Sequence, residues 1–267
     1  LTPLLVGSPL CKANFAYLCK NVRRVTIVLT RAIFEAKAHK REIQMSKDIQ
    51  SAKATVLNWQ EATDNTPPKQ LPTRFSEFAT DDYIWRGVHP FHEQHGCDSV
   101  IEVFYNPFKK AFSALQRRQD IFFAGQNEIE DFNSFWVASM GHFIGLFDQP
   151  FLNIPPHNKM AMIRYAEFHK VENGQICETA LFIDLLHLMA QVGLTPVPQQ
   201  KGVHLIQPGP RTHDGLLFKT QNSKDGETTL ALINRMIGDI NDGQYKSPQE
   251  ELHQCWHENM LWWGPTG

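Results

Sequence analysis

The chain has 267 residues, a formal net charge of −2 and an apolar fraction of 42%, with 18 Phe and 6 Trp. With a slightly negative net charge nothing global suggests a nucleic-acid partner, and the length allows one or two domains with a sizeable core. Five scattered cysteines (Cys11, Cys19, Cys97, Cys177 and Cys255) form no CxxC pair. They fit reduced thiols in a cytoplasmic protein better than a disulfide framework.

Residues 1–45 read as a basic extension, with Lys12, Lys20, Arg23, Arg24, Arg31, Lys37, Lys40 and Arg41 against two acids, Glu35 and Glu42. The apolar run Val25–Leu29 is too short to cross a bilayer, so no membrane partner is expected. An Arg-rich, acid-poor targeting peptide and a basic helix packed on the domain are both open readings. Beyond Met45 the spacing of Ala52, Val56, Trp59 and Ala62 predicts one face of a helix, stopped by Asn65-Thr-Pro-Pro68. A short helix around Arg74–Ala79 and a strand over Asp82–Gly87 follow. A second amphipathic helix is expected from Asp98. Ser99 and Glu102 stand at capping-box spacing, and Phe104, Phe108, Ala111 and Leu115 continue its apolar face. On this reading Arg117-Arg118 is its solvated end.

Strands are predicted near Gln119–Ala124, Phe135–Ile144, Met160–Lys170 and Gln175–Ile183. The last two are joined by the turn dipeptide Asn173-Gly174, a strong hairpin signal. Leu185–Gln191 reads as a short closing helix. Residues 196–227, rich in Pro and Gly, read as an extended connector. Over 228–267 the pattern restarts. Leu230, Ile233, Ile237 and Ile240 repeat a helical face, Ser247-Pro-Gln-Glu250 is a capping box, and Asn259–Gly264 aligns with Asp82–Gly87. The expectation is an internal duplication whose second copy is cut off after its first strand, hence a fragment of a tandem protein.

The segments Trp136-Val-Ala-Ser-Met-Gly-His142, Asn153-Ile-Pro-Pro-His-Asn-Lys159, Glu178-Thr-Ala-Leu-Phe-Ile-Asp184 and Gln191-Val-Gly193 occur in this order around the hairpin. Over roughly residues 46–195 they resemble the SnoaL-like polyketide cyclase family, a branch of the nuclear-transport-factor-2-like superfamily. The resemblance implies an α+β, cystatin-like fold: a cone-shaped curved antiparallel sheet with covering helices around an apolar pocket. It implies a small hydrophobic carbonyl compound as ligand and no cofactor. It also implies a homodimer, or a pseudo-dimer of tandem domains. The family begins near Met45, so residues before it are expected to be a non-native or mis-called extension.

Asp184 is the leading candidate for chemistry. A carboxylate in apolar surroundings has its pKa raised, which makes it a better general base for a proton beside a carbonyl. The resemblance assigns the corresponding Asp to an aldol-type ring closure. The alternative is that Asp184 caps the helix after it. His142, in the Gly-His motif, would hydrogen-bond a carbonyl or enolate, or be a satisfied core histidine. Alternation places Tyr165 and Glu167 on one face of a strand and Arg164 on the other, and places Glu178 on the face of Asp184. Trp136, Tyr165, Glu167 and Phe182 are candidate substrate contacts, against core packing as the plainer role. Position in the family adds Trp85, Arg86, His89, Phe91 and His92 as an entrance. The cluster His89, His92, His95, Cys97 lacks zinc-site spacing, so no metal is expected. Three activities stay open: an aldol-type cyclase, an isomerase or hydratase, and a non-catalytic binding or dimerisation domain.

Overall fold

The structure, a computed structural model, describes residues 40–196, 198, 209 and 212–258. The chain divides into two units, Leu1–Asp48 and Ile49–Gly267. In the first, residues 40–48 are helical, with Gln44 Nε2 donating to Asp48 Oδ1 at 2.8 Å. The rest of the basic extension lies outside the described residues. All remaining elements belong to the second unit.

Helix α1 (residues 49–65) buries Ala52, Val56, Trp59 and Ala62, the face its spacing predicts, and with them the polar Lys53, Gln60 and Thr63. A turn at Pro68–Gln70 leads into α2 (Leu71–Ser76), then β1 (Ala79–Gly87) and β2 (Glu93–His95). A second helical stretch comprises α3 (Cys97–Val100), a wide π turn (Ile101–Tyr105) and α4 (Asn106–Ala111). Strands β3 (Phe112–Gln126), β4 (Phe135–Phe147), β5 (Lys159–Glu172) and β6 (Gln175–Ile183) follow, then α5 (Leu185–Gln191). They form one six-stranded sheet in the order β2-β1-β6-β5-β4-β3. All neighbours are antiparallel except β1 and β6, which run parallel. The β5–β6 hairpin turns on Asn173 (φ 51°) and Gly174 (φ 79°), the two left-handed residues a type I′ turn needs.

Two expectations about the second helix are corrected. It starts at Cys97, behind Gly96, and Ser99 donates to Gln94 Oε1 at 2.6 Å rather than closing a capping box with Glu102. It also ends at Ala111, where the backbone turns extended at Phe112, whose ring stacks on Phe147 at 4.7 Å. Leu115 and Arg117 therefore belong to a long strand. A bulge between Gln119 and Ile121 leaves Asp120 as the extra residue of β3.

Along β5, Ala161, Ile163, Tyr165, Glu167, His169 and Val171 are buried on the face covered by the helices, while Met162, Arg164, Ala166, Phe168 and Lys170 line the other. Cross-strand pairing extends this division. Tyr165 sits between Gly141 and Ile183, and Glu167 between Ser139 and Leu181. Aromatic rings pack the covered face from Trp59 through Phe75, Tyr105 and Phe104 to Phe108 and Phe143. Gly141 is demanded by the sheet itself, because a Cβ there would lie 1.9 Å from the Arg118 carbonyl oxygen.

Part of the connector is packed. Leu216 lies parallel beside Phe122 on β3. Two helices follow, α6 (Ser223–Asn241) and α7 (Pro248–Cys255). Ser247 Oγ accepts from the Glu250 amide, and Glu250 reaches back to the Lys246 amide. Ile233, Ile237 and Ile240 of α6 are exposed. The strand expected at Asn259–Gly264 lies outside the described residues. Among the described residues no helix is long and apolar enough to cross a membrane.

Candidate functional site

A charged centre lies beneath the helices. Arg117, pointing inward from β3, donates from Nε and Nη2 to the two oxygens of Asp64 at 2.9 and 3.2 Å, and from Nη1 to Glu167 Oε2. Its guanidinium also lies 4.7 Å from the Phe143 ring and 5.0 Å from Tyr165, within cation–π range. Gln60 Nε2 donates to Glu167 Oε2 at 3.1 Å, and its carbonyl accepts from Gln119 at 2.7 Å. Gln119 continues to Ser139 (3.2 Å), which meets the Tyr165 hydroxyl at 3.1 Å.

Burial pushes the Glu167 carboxyl up, but Arg117, His169 and Gln60 outweigh it and hold it below the usual range. Burial likewise opposes the Arg117 charge, and Asp64 and Glu167 overcome it. Glu167 and Arg117 are therefore ionised together.

His169, fully buried, has Nδ1 2.9 Å from Thr179 Oγ1 and Nε2 3.6 Å from Glu167 Oε2. With Nδ1–H donating to the Thr179 hydroxyl, Nε2 is left as the accepting nitrogen and faces the carboxylate. Trp59 lies against this imidazole, ring centroids 4.7 Å apart. Trp59 Nε1 and the Tyr105 hydroxyl are buried with no hydrogen-bond partner among the described residues. Burial, then the nearby Glu167, pushes the Tyr105 phenol well above its ordinary value, so it stays a donor.

The opposite face carries a row of ionisable groups. His142 Nδ1 is 3.2 Å from Asp120 Oδ2, and Arg164 Nη2 donates to Asp184 Oδ2 at 2.7 Å. The pairs are neighbours, because His142 is the cross-strand partner of Arg164. Asp184 Oδ1 accepts from the His187 amide at 2.9 Å, capping α5. Gln191, at the other end of that helix, bonds both the amide and the carbonyl of Met162 on β5.

The candidate residues are thus divided by the sheet. Trp85, Tyr165 and Glu167 lie under the helices, with Trp85 fully buried against Phe91 and Phe104. Asp184, His142, Trp136, Phe182 and Arg86 lie on the other side. Trp136 donates to Ser134 at 3.1 Å, Phe182 is exposed, and Arg86 pairs with Glu93 and Glu178. His89 and His92 are exposed on the turn after β1, ring centroids 5.3 Å apart. Among the described residues no cluster of His, Cys, Asp and Glu could hold a metal ion. Arg117, Asp64, Gln60 and His169 are absent from the expected set. For His169 the signal was available: Tyr165, Glu167 and His169 stand at strand period on one face.

The sequence profile of the SnoaL-like polyketide cyclases matches residues 57–192, about half of the chain, and the protein belongs to that family. No curated protein matches it. Among solved structures it is similar to a SnoaL-like chain from Jannaschia sp. CCS1 (19% identity, TM-score 0.45, covering 55% of this chain and 95% of that one). It is also similar to a phenazine biosynthesis-related protein from Pseudomonas aeruginosa (17%, 0.42, 63% and 99%). A third is a nuclear-transport-factor-2-like protein from Burkholderia thailandensis E264 (16%, 0.40, 53% and 96%).

Proposed function

We propose that the helix-covered face binds a small hydrophobic carbonyl compound and moves a proton on it, as a cofactor-independent enzyme of the cyclase or isomerase type. The observation that carries this reading is the buried Glu167–His169 pair beside two unpartnered donors, Trp59 Nε1 and the Tyr105 hydroxyl. The donors fit a carbonyl oxygen and hold it more strongly as charge develops there. His169 fits the proton acceptor. Glu167, 3.6 Å from the accepting Nε2, favours the imidazolium that forms. On this reading Asp184 is the anchor of α5 and of Arg164, and His142 is a structural group of the outer face.

The test uses acetophenone as probe, with binding followed by tryptophan fluorescence and turnover by deuterium incorporation at its methyl group in D2O. The native protein is expected to bind and to exchange. His169→Asn is expected to bind and not exchange, whereas Asp184→Asn retains both. Binding without exchange in the native chain would make this a binding domain. Exchange lost in Asp184→Asn and kept in His169→Asn would return the chemistry to Asp184.

A further inference from the structure

Beyond the stretch shared with the family, the chain returns to the free edge of the sheet. The Phe122 amide donates to the Gly215 carbonyl at 2.8 Å, and the Leu217 amide donates to the Phe122 carbonyl at 2.7 Å. Both backbone groups of one edge residue are thereby satisfied. From α1, Lys53 Nζ donates to the carbonyls of Leu217 (2.6 Å) and Lys219 (3.2 Å). The Gln50 amide, suitably oriented, donates to the Phe218 carbonyl at 3.0 Å and accepts from the Thr220 amide at 3.1 Å. The Phe218 ring lies 5.2 Å from that of Phe122.

Two glycines of the same segment sit on Asp120. A Cβ on Gly209 would lie 2.3 Å from Asp120 Oδ1 and 2.4 Å from its Cβ, and one on Gly215 would lie 2.8 Å from the Asp120 carbonyl oxygen. Asp120 is the bulge residue of β3 and the partner of His142.

We propose that Gly209 and residues 212–220 form a strap belonging to this domain, which caps the β3 edge and fixes the Asp120 carboxylate against His142. An open edge residue invites pairing with another chain, and here that position is taken by the chain's own continuation. Gly209 is needed because a side chain there would displace the carboxylate, and Gly215 because one there would press on the Asp120 backbone carbonyl. Lys53 gives the strap a purchase that does not depend on side-chain complementarity, since it grips carbonyls. Asp120 thus acts as a positioning residue for His142. The other ionisable groups near that imidazole include Arg118 from β3, its cross-strand partner, Arg164 from β5 and His187 from α5.

The inference is independent of the chemistry proposed for the opposite face. It is tested in the full chain by NMR, reading the His142 titration midpoint and amide exchange at Phe122 and Leu217. Asp120→Asn alone is expected to lower the His142 midpoint, because the carboxylate supports the imidazolium. In a Gly209→Val background that displacement should fall to less than half, with fold retained by circular dichroism. Lys53→Met, which leaves the Asp120 contact untouched, should speed exchange at both amides at least tenfold. The proposal is overturned if Asp120→Asn displaces the midpoint equally in both backgrounds. It is equally overturned if the native Phe122 and Leu217 amides exchange as fast as those of an unfolded peptide. Should Gly209→Val unfold the chain, Gly209→Ala serves in its place with the same readouts.

Discussion

The two faces of the sheet both carry ion pairs, and they pair charge in opposite ways. Under the helices, Arg117 is shared between two carboxylates, packed against the Phe143 and Tyr165 rings and ringed by neutral hydrogen-bonding groups, its side chain only 5% exposed. On the other face, Arg164 and Asp120 remain partly open to water, with side-chain exposures of 17% and 18%. Removing a partner therefore has different consequences. Inside, an orphaned Glu167, its side chain 1% exposed, has no water to turn to. Outside, solvent replaces much of what is lost.

The largest effect comes from breaking the inner cluster. Arg117→Met leaves Glu167 buried without its cation and is expected to cost about 3–5 kcal/mol in urea unfolding. Adding Glu167→Gln to that variant should recover part of the loss, since the two residues are directly coupled. On the outer face, Asp184→Ala removes the α5 cap and a partner of Arg164, with an expected cost of about 1–2 kcal/mol. Asp184→Asn, which keeps a capping oxygen, should cost less.

Acid separates the faces further. Burial depresses the His142 and His187 imidazoles, against the opposing pull of Asp120 and Asp184 respectively. Their folded values lie below the unfolded value of about 6.5, so the unfolded chain takes up protons first as pH falls. This contribution is whole above about pH 6.5 and is lost as pH falls through the folded values. Glu167, depressed from its ordinary carboxylate value, gives a second loss at more acid pH. Melting temperature against pH should show both steps, with the first shrinking in His142→Gln. The smallest effect is expected for Phe182→Ser, within about 0.5 kcal/mol, because that ring is 53% exposed.

The hairpin was legible because its turn is local: Asn-Gly between two alternating runs admits one geometry. The buried stripe of α1 and the closing helix α5 were legible for the same reason. The start of β3 was not. Phe104, Phe108, Ala111 and Leu115 keep helical spacing across Ala111–Phe112, where no Gly or Pro marks the change and only the packing of Phe112 on Phe147 decides it. The error carried Arg117 out of sight, turning an inward strand residue into a solvated helix end. Alternation had already separated Tyr165 and Glu167 from Arg164, and had grouped Glu178 with Asp184. What one strand alone could not supply was the register. Tyr165 lies opposite Ile183, and this sets Asp184 on the far side of the sheet from Glu167.

The parallel pairing of β1 on β6 bears on the order in which the molecule assembles. Strands β3 to β6 join neighbours in sequence, whereas bringing Trp85 beside Thr179 closes a loop of roughly ninety residues, an entropic cost of about 4 kcal/mol before any contact repays it. The antiparallel meander therefore condenses first and β1 docks late, carrying Tyr83 and Trp85 into the interior as it arrives. Kinetically, Trp85→Phe should hasten unfolding and leave the folding rate almost untouched, while Ile163→Val in the meander should slow folding itself, as stopped-flow chevrons would reveal. The aromatic interior would then be the last region to lose its water.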